Sequence, residues 1–165
     1  FRVLGVETPK VAVLSAVETV NPDVVSTLDA ACLTLMAQRG QINGALVEGP
    51  LAFDNAISRS AAQEKGIASQ VAGCADILLV PDLVSGNILA KTLEYLASAV
   101  AAGVVVGLTV PVALTSRADP APSRLASLAL VAAMHSRAPR ILRATSSQEC
   151  SLHAAPQNEG SCCPI

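Results

Sequence analysis

The chain has 165 residues, 52% of them hydrophobic and only 2% aromatic, with no Trp and a net charge of −2. That length supports one domain with a real core, or part of a two-domain protein, and its small aliphatic residues favour closely packed layers. The charge balance, with no basic run before the last segment, argues against a large phosphate-tracking nucleic-acid surface but leaves small anions within reach of one loop.

The chain opens at Phe1 rather than Met, with no basic segment leading an apolar one, so the expectation is a piece of a longer protein without a signal peptide. "KVAVLSA" (10–16) reads as a buried strand. "NPD" (21–23) reads as a helix start: Asn21 can cap, Pro22 suits the first turn and Asp23 suits the positive helix end. "VVSTLDAACLTLMAQ" then runs at helical period to Gly40, a natural stop. "GALVEG" (44–49) is the next short strand; Gly49-Pro50 reads as a turn, and Glu48 is placed to hold an Arg or Lys. "FDNAISRSAAQEKG" follows as helix, with Asp54 as its cap and Gly66 as its stop. "ADILLV" (75–80) is a third strand, and "PDLVSGNILAK" (81–91) leads into a helix from about Asn87 to Ala99. "GVVVGL" (103–108) and "PVALT" (111–115) read as a fourth and a short fifth strand. "DPAPSRLASLALVAAMH" (119–135) is the final helix, starting at Asp119 or Pro120, with His135 near its end where an imidazole suits the dipole. After about Ala138 the pattern stops, and residues 139–165 read as a disordered tail.

Strands and helices alternate with short links. That predicts an α/β fold: a mostly parallel sheet, right-handed crossovers and helices on both faces. The uncharged stretch from Tyr95 to Ser116 is long enough to raise the question of a membrane span, but Gly103, Gly107 and Pro111 divide it into a helix end and buried strands. Of five cysteines, Cys32 and Cys74 lie in apolar segments and read as buried and inert. Cys150, Cys162 and Cys163 lie near His153 in the tail, at spacings that match no common zinc pattern, so no metal is expected. An odd cysteine count without disulfide spacing points to a reducing cytoplasm.

In such sheets ligands gather at the carboxyl ends of the strands. Three segments fall there: "EGPLAFDNA" (48–56), "PDLVSGNILAK" and "LTSRADP" (114–120). In the second, Ser85, Gly86 and Asn87 can offer backbone N–H groups to an anion, and Lys91 a point charge. Equally, Asn87 caps the helix, Gly86 makes the turn and Lys91 is a solvated charge; no GxxxxGK[ST] phosphate loop is present. In the third, Ser116 offers a hydroxyl and Arg117 a fork of donors for phosphate or carboxylate, with Asp119 available to cap the last helix. No Ser-His-Asp set, HExxH, CxxC pair or GxGxxG names a chemistry.

Taken in order, "EGPLAFDNAIS", "KGIASQVAGCADILLVPDLVSGNILAKTLEYLA" and "PVALTSRAD" resemble the carboxyl-terminal half of the phosphate acetyl/butyryltransferase family, over residues 9 to about 136. The family includes transferase parts fused to an enoyl-CoA hydratase domain, and the SRAD form looks closer to butyryl-like or hydratase-fused members. The resemblance implies exchange of an acyl group between acyl-CoA and phosphate, with CoA as substrate, no cofactor and no metal. It also implies a fold resembling isocitrate and isopropylmalate dehydrogenases, two α/β domains around a cleft, in a cytoplasmic homodimer bound to neither nucleic acid nor membrane. On that pattern residues 1–108 would form the second domain and 109–138 a segment returning to the first. Ser116 and Arg117 match the family's catalytic Ser-Arg pair, Arg117 stabilising developing negative charge and Ser116 contacting the thioester or sulfur. Gly86, Asn87 and Lys91 match its GNxxxK segment at the cleft, where Asp119 is a further substrate-binding candidate.

Two departures matter. The family's N-terminal half, which supplies other cleft residues, is missing, so the isolated chain is expected to be incomplete or inactive. The acetyl enzymes carry an Asp seven residues after the Ser, as the base for the CoA thiol, and here that position is Ser123, a poor base on its own. Three readings therefore follow from the sequence: the acyltransferase part of a longer enzyme, a non-catalytic CoA- or phosphate-binding and dimerisation domain, or a dehydrogenase of the same fold. The last lacks its acidic metal site and nucleotide loop.

Overall fold

The structure, a computed structural model, describes residues 2–146. After a short 3-10 turn at Arg2–Leu4 come β1 (Lys10–Leu14), α1 (Val25–Gln38), β2 (Leu46–Leu51), α2 (Phe53–Ile57), α3 (Arg59–Glu64) and β3 (Ile77–Leu79). They are followed by α4 (Leu83–Leu96), β4 (Gly103–Val105), β5 (Val112–Leu114) and α5 (Ala121–Ser146). Strands β2, β1 and β3 lie in that order in one parallel sheet, with Val11 opposite Val47 on one side and Ile77 on the other.

β1 is central, and its apolar run is what a strand covered on both faces requires. Side chains alternate between faces. Ala12 and Leu14 join the core with Leu51, Ala56, Ala62, Val71 and Ala72, against which Leu78, Val80 and Leu89 pack. Val13 points the other way: a side chain added at Gly49 would meet Val13 Cβ at 2.8 Å and Ala30 Cβ of α1 at 3.1 Å. One face therefore carries α1, and the other the helices that follow β2.

The helix stops at Gly40 and Gly66 are as expected. Both glycines have positive φ. Around the first, Gly40 N–H donates to Ala37 O and Gln41 N–H to Met36 O; around the second, Gly66 N–H donates to Gln63 O and Ile67 N–H to Ala62 O. These paired bonds satisfy carbonyls that a helix end leaves open. The starts differ. Asn21 closes a turn instead of capping, its Oδ1 accepting from Asp23 N–H and its carbonyl from the Thr27 hydroxyl, so α1 begins at Val25. Asp54 lies in the first turn of α2, and the capping side chain is Ser58, which accepts from Ala61 N–H at the start of α3. Gly49-Pro50 is not a turn but a cis peptide inside β2. Among the described residues Glu48 pairs with neither Arg nor Lys; it accepts from the Ser69 hydroxyl at 2.6 Å. Cys32 is exposed and Cys74 only half-buried, so neither is the core thiol its apolar segment suggested.

The fourth and fifth strands do not extend the parallel sheet. β4 and β5 pair antiparallel as a hairpin of their own, with Gly107 at φ +88° in the connection. The link is far too short for the crossover that parallel pairing needs. Buried Ser127 joins α5 to this hairpin: its hydroxyl accepts from Gly103 N–H at 3.0 Å and donates to Ser123 O. α5 continues to Ser146, beyond the expected helix end at His135 and beyond Ala138, where the sequence pattern stops. Residues 147–165, with the Cys150, His153, Cys162 and Cys163 group, lie outside the described residues. Among the described residues no helix is long and apolar enough to cross a membrane, and no group of His, Cys, Asp and Glu could hold a metal ion.

Candidate functional site

At the carboxyl ends of β1 and β3 lies a cavity of about 400 Å³, lined by Leu14, Ser15, Ser26, Phe53, Val80, Pro81, Ser85 and Leu89 among others. Its walls are mostly aliphatic. The Ser15 and Ser26 hydroxyls, 2.8 Å apart, provide a polar pair at the end of β1.

A charge cluster on the same edge fixes the loop that follows β1. Lys65 Nζ lies 3.1 Å from Glu18 and 3.2 Å from Asp54, so it ties that loop to α2. The Lys65 pKa is raised, first by its bond to Glu18 and then by Asp54. Asp54 is held below its usual carboxylate value, first by the backbone N–H of Asn55 and then by Lys65. Fully buried Asn55 donates from Nδ2 to Glu18 at 3.3 Å, while its Oδ1 has no partner among the described residues. Sequence reasoning missed this cluster, because Glu18 and Lys65 are 47 positions apart and no local spacing pairs them.

The cap of α4 is Asp82, not Asn87: its Oδ1 accepts from Ser85 N–H at 2.8 Å. That bond is the main reason the Asp82 pKa is lowered. The N–H groups expected to face an anion are therefore spent, Ser85's on the Asp82 carboxylate and Gly86's on the Asp82 carbonyl. Gly86 serves packing instead, since a side chain there would meet Val80 Cγ2 at 2.8 Å. Four-residue spacing puts Ser85 and Leu89 on one face of the helix, at the cavity, and Asn87 and Lys91 on another. Asn87 is exposed. Lys91 pairs with Glu94 at 2.6 Å, and its pKa is raised first by that partner and also by the charge of Asp119.

The third segment makes no hydrogen bond or ion pair to α4 among the described residues; only the charge of Asp119 acts on Lys91. Residues 116–119 form a tight turn: Ser116 N–H donates to Asp119 Oδ2 at 2.6 Å, and Asp119 N–H to Ser116 O at 3.2 Å. Asp119 thus closes the turn rather than capping α5, which begins at Ala121. Arg124, which carried no signal in the sequence, braces the turn by donating to the carbonyls of Asp119 and Arg117. Ser116 and Arg117 are exposed, and the Arg117 guanidinium has no partner among the described residues. Ser123 is buried, 5% exposed. A hydrogen-bonded turn carrying an unpaired guanidinium next to an exposed hydroxyl suits binding of a dianion or stabilisation of an oxyanion.

Residues 1–133 match the family model described as phosphate acetyl/butaryl transferase. The chain is 64% identical over 121 residues to a phosphate acetyltransferase of Rickettsia felis, covering 73% of this chain and 35% of that protein. It is 50% identical over 129 residues to a phosphate butyryltransferase of Clostridium acetobutylicum, covering 78% and 43%. In structure it is similar to a branched-chain phosphotransacylase from Enterococcus faecalis, with a TM-score of 0.71 and 39% identity over 80% of this chain and 47% of that one. The chain spans less than half the length of these relatives.

Proposed function

The chain belongs to the phosphate acetyl/butyryl transferase family, and we propose that, within a protein of the relatives' full length, it forms one wall of a cleft that exchanges an acyl group between a short acyl-CoA and inorganic phosphate. A phosphate oxygen attacks the thioester carbonyl, the C–S bond breaks, and acyl phosphate and CoA result. The observation that carries this reading is the turn at 116–119, with Asp119 bonded to Ser116 N–H and Arg117 left free. Arg117 holds the phosphate or stabilises the carbonyl oxygen as it gains charge. Ser116 donates to the thioester or departing sulfur. Asn87 and Lys91 approach the substrate from the outer face of α4, Gly86 lets that helix close on β3, and Asp119 sets the turn. We further propose the two-domain, dehydrogenase-like organisation for the complete protein, with residues 1–108 in the second domain, 109–138 returning to the first, and a homodimeric assembly.

Buried Ser123, where the resemblance places a base, favours a second reading: a CoA- or phosphate-binding and dimerisation domain without catalysis. One experiment separates the two. This chain replaces the matching segment of the Rickettsia felis relative, and acyl phosphate formed from acetyl- or butyryl-CoA is measured. Arg117→Ala should lower kcat roughly 10²- to 10³-fold, in the range for loss of one oxyanion donor. If the substitution leaves turnover at the parental rate, Arg117 has no part in the chemistry.

A further inference from the structure

We propose that the opposite edge of the sheet carries a second binding site, one that takes a phosphate-bearing small molecule. A cavity of about 420 Å³ opens at the amino end of β1, where Lys10, Arg59, Gln63, Ser69, Gln70 and Cys74 line it. Lys10 begins the strand and Leu14 ends it, so this cavity lies about 13 Å along β1 from the cavity at the strand's carboxyl end, at roughly 3.3 Å per residue. The inference stands apart from the proposed reaction.

Two cationic side chains, Lys10 and Arg59, line this cavity. Ion pairs among the described residues involve only Lys65 and Lys91, so neither Lys10 nor Arg59 is in one. Two carboxylates stand near, neither in an ion pair among the described residues: Asp76 accepts from the backbone N–H of Lys10 at 2.9 Å, and Glu48 from the Ser69 hydroxyl. The Lys10 ammonium lies 3.2 Å from Cys74 Sγ. Arg59 is seated by close packing. Gly73, at φ +75°, has no side chain, and a Cβ there would fall 2.6 Å from Arg59 Cα and 2.7 Å from its N and Cγ. The segment that ends in Cys74 can therefore close directly over Arg59.

A fork and a point charge lining one cavity suit a phosphate group, the fork by two parallel bonds and the ammonium by charge alone. The volume exceeds the needs of an ion and lies in the range of small-molecule pockets. The Gln63 and Gln70 amides offer donors and acceptors to the rest of such a ligand.

Because Cys74 lines the cavity, occupancy shields its thiol, while exposed Cys32 on α1 serves as the internal control. The test uses the full chain, inorganic pyrophosphate as probe, chloride at equal ionic strength as reference, and alkylation by iodoacetamide followed peptide by peptide in a mass spectrometer. Pyrophosphate at ten times its half-saturating concentration should slow alkylation of Cys74 about ten-fold by mass action, and leave Cys32 unchanged. Lys10→Gln with Arg59→Gln should abolish the protection while circular dichroism remains that of the parent. Equal alkylation of Cys74 in pyrophosphate and chloride would overturn the proposal, as would protection that survives in a folded double variant. Should the double variant not fold, the comparison on the parent chain decides alone.

Discussion

Gly73 and Gly66 both sit at positive φ, but their surroundings differ. A side chain at Gly73 would press on Arg59 backbone, whereas nothing lies within 4 Å at Gly66. Gly73→Ala therefore combines backbone strain with overpacking and should destabilise the chain by about 1–3 kcal/mol. Gly66→Ala carries only the strain, on the order of 1 kcal/mol. Urea unfolding of the two variants tests the ranking, and equal midpoints would remove the packing argument for Gly73. At this scale the site was partly legible. The sequence pointed to Ser116 and Arg117 through the resemblance and to Lys91 as a charge, but Arg124 and Lys65 act through contacts that no local pattern announces.

Among the elements, α4 shows what periodicity tells and what it omits. The helix could be read from its pattern, but its start could not, because Asp82 and Ser85 are residue types as able to cap as the expected Asn87. Geometry decides for Asp82, which reaches Ser85 N–H. Its folded pKa lies below the ordinary 3.8. A carboxylate whose pKa is depressed on folding stabilises fully above its unfolded value and loses that contribution as pH falls through the folded one. Hydrogen-exchange protection in the first turn of α4 should therefore be constant above about pH 4 and decline below it, more steeply than in α1, which has no side-chain cap. Asp82→Asn keeps a cap that does not titrate, so it should flatten that decline. Identical acid profiles for the parent chain and the Asp82→Asn variant would mean that another group controls this helix end. The same ambiguity misplaced the start of α1, where Asn21 satisfied a turn before it could satisfy a helix.

For the whole molecule, alternating strand and helix patterns were enough to foresee the parallel sheet, since β1 to β3 are separated by helical segments that permit crossovers. The pattern could not separate β4 and β5 from that sheet, because a short apolar strand looks the same in either setting and only the connection reveals the pairing. The outcome places the turn at 116–119 between a separate hairpin and α5 rather than at the end of a strand of the parallel sheet. Much of α4 stays uncovered in this chain, with Leu83 85% and Tyr95 71% exposed, while the chain covers 35% of the length of the Rickettsia felis relative. The central claim is that these residues form a working wall of an acyl-transfer cleft once the remaining length is present. Its most direct test is the turnover of the Rickettsia felis relative carrying this chain in place of its own matching segment. We predict acyl phosphate formation from a short acyl-CoA and phosphate within about ten-fold of the unmodified relative, a cost of no more than about 1.4 kcal/mol in the barrier. A folded hybrid that binds CoA but forms no acyl phosphate from either acetyl- or butyryl-CoA would contradict it.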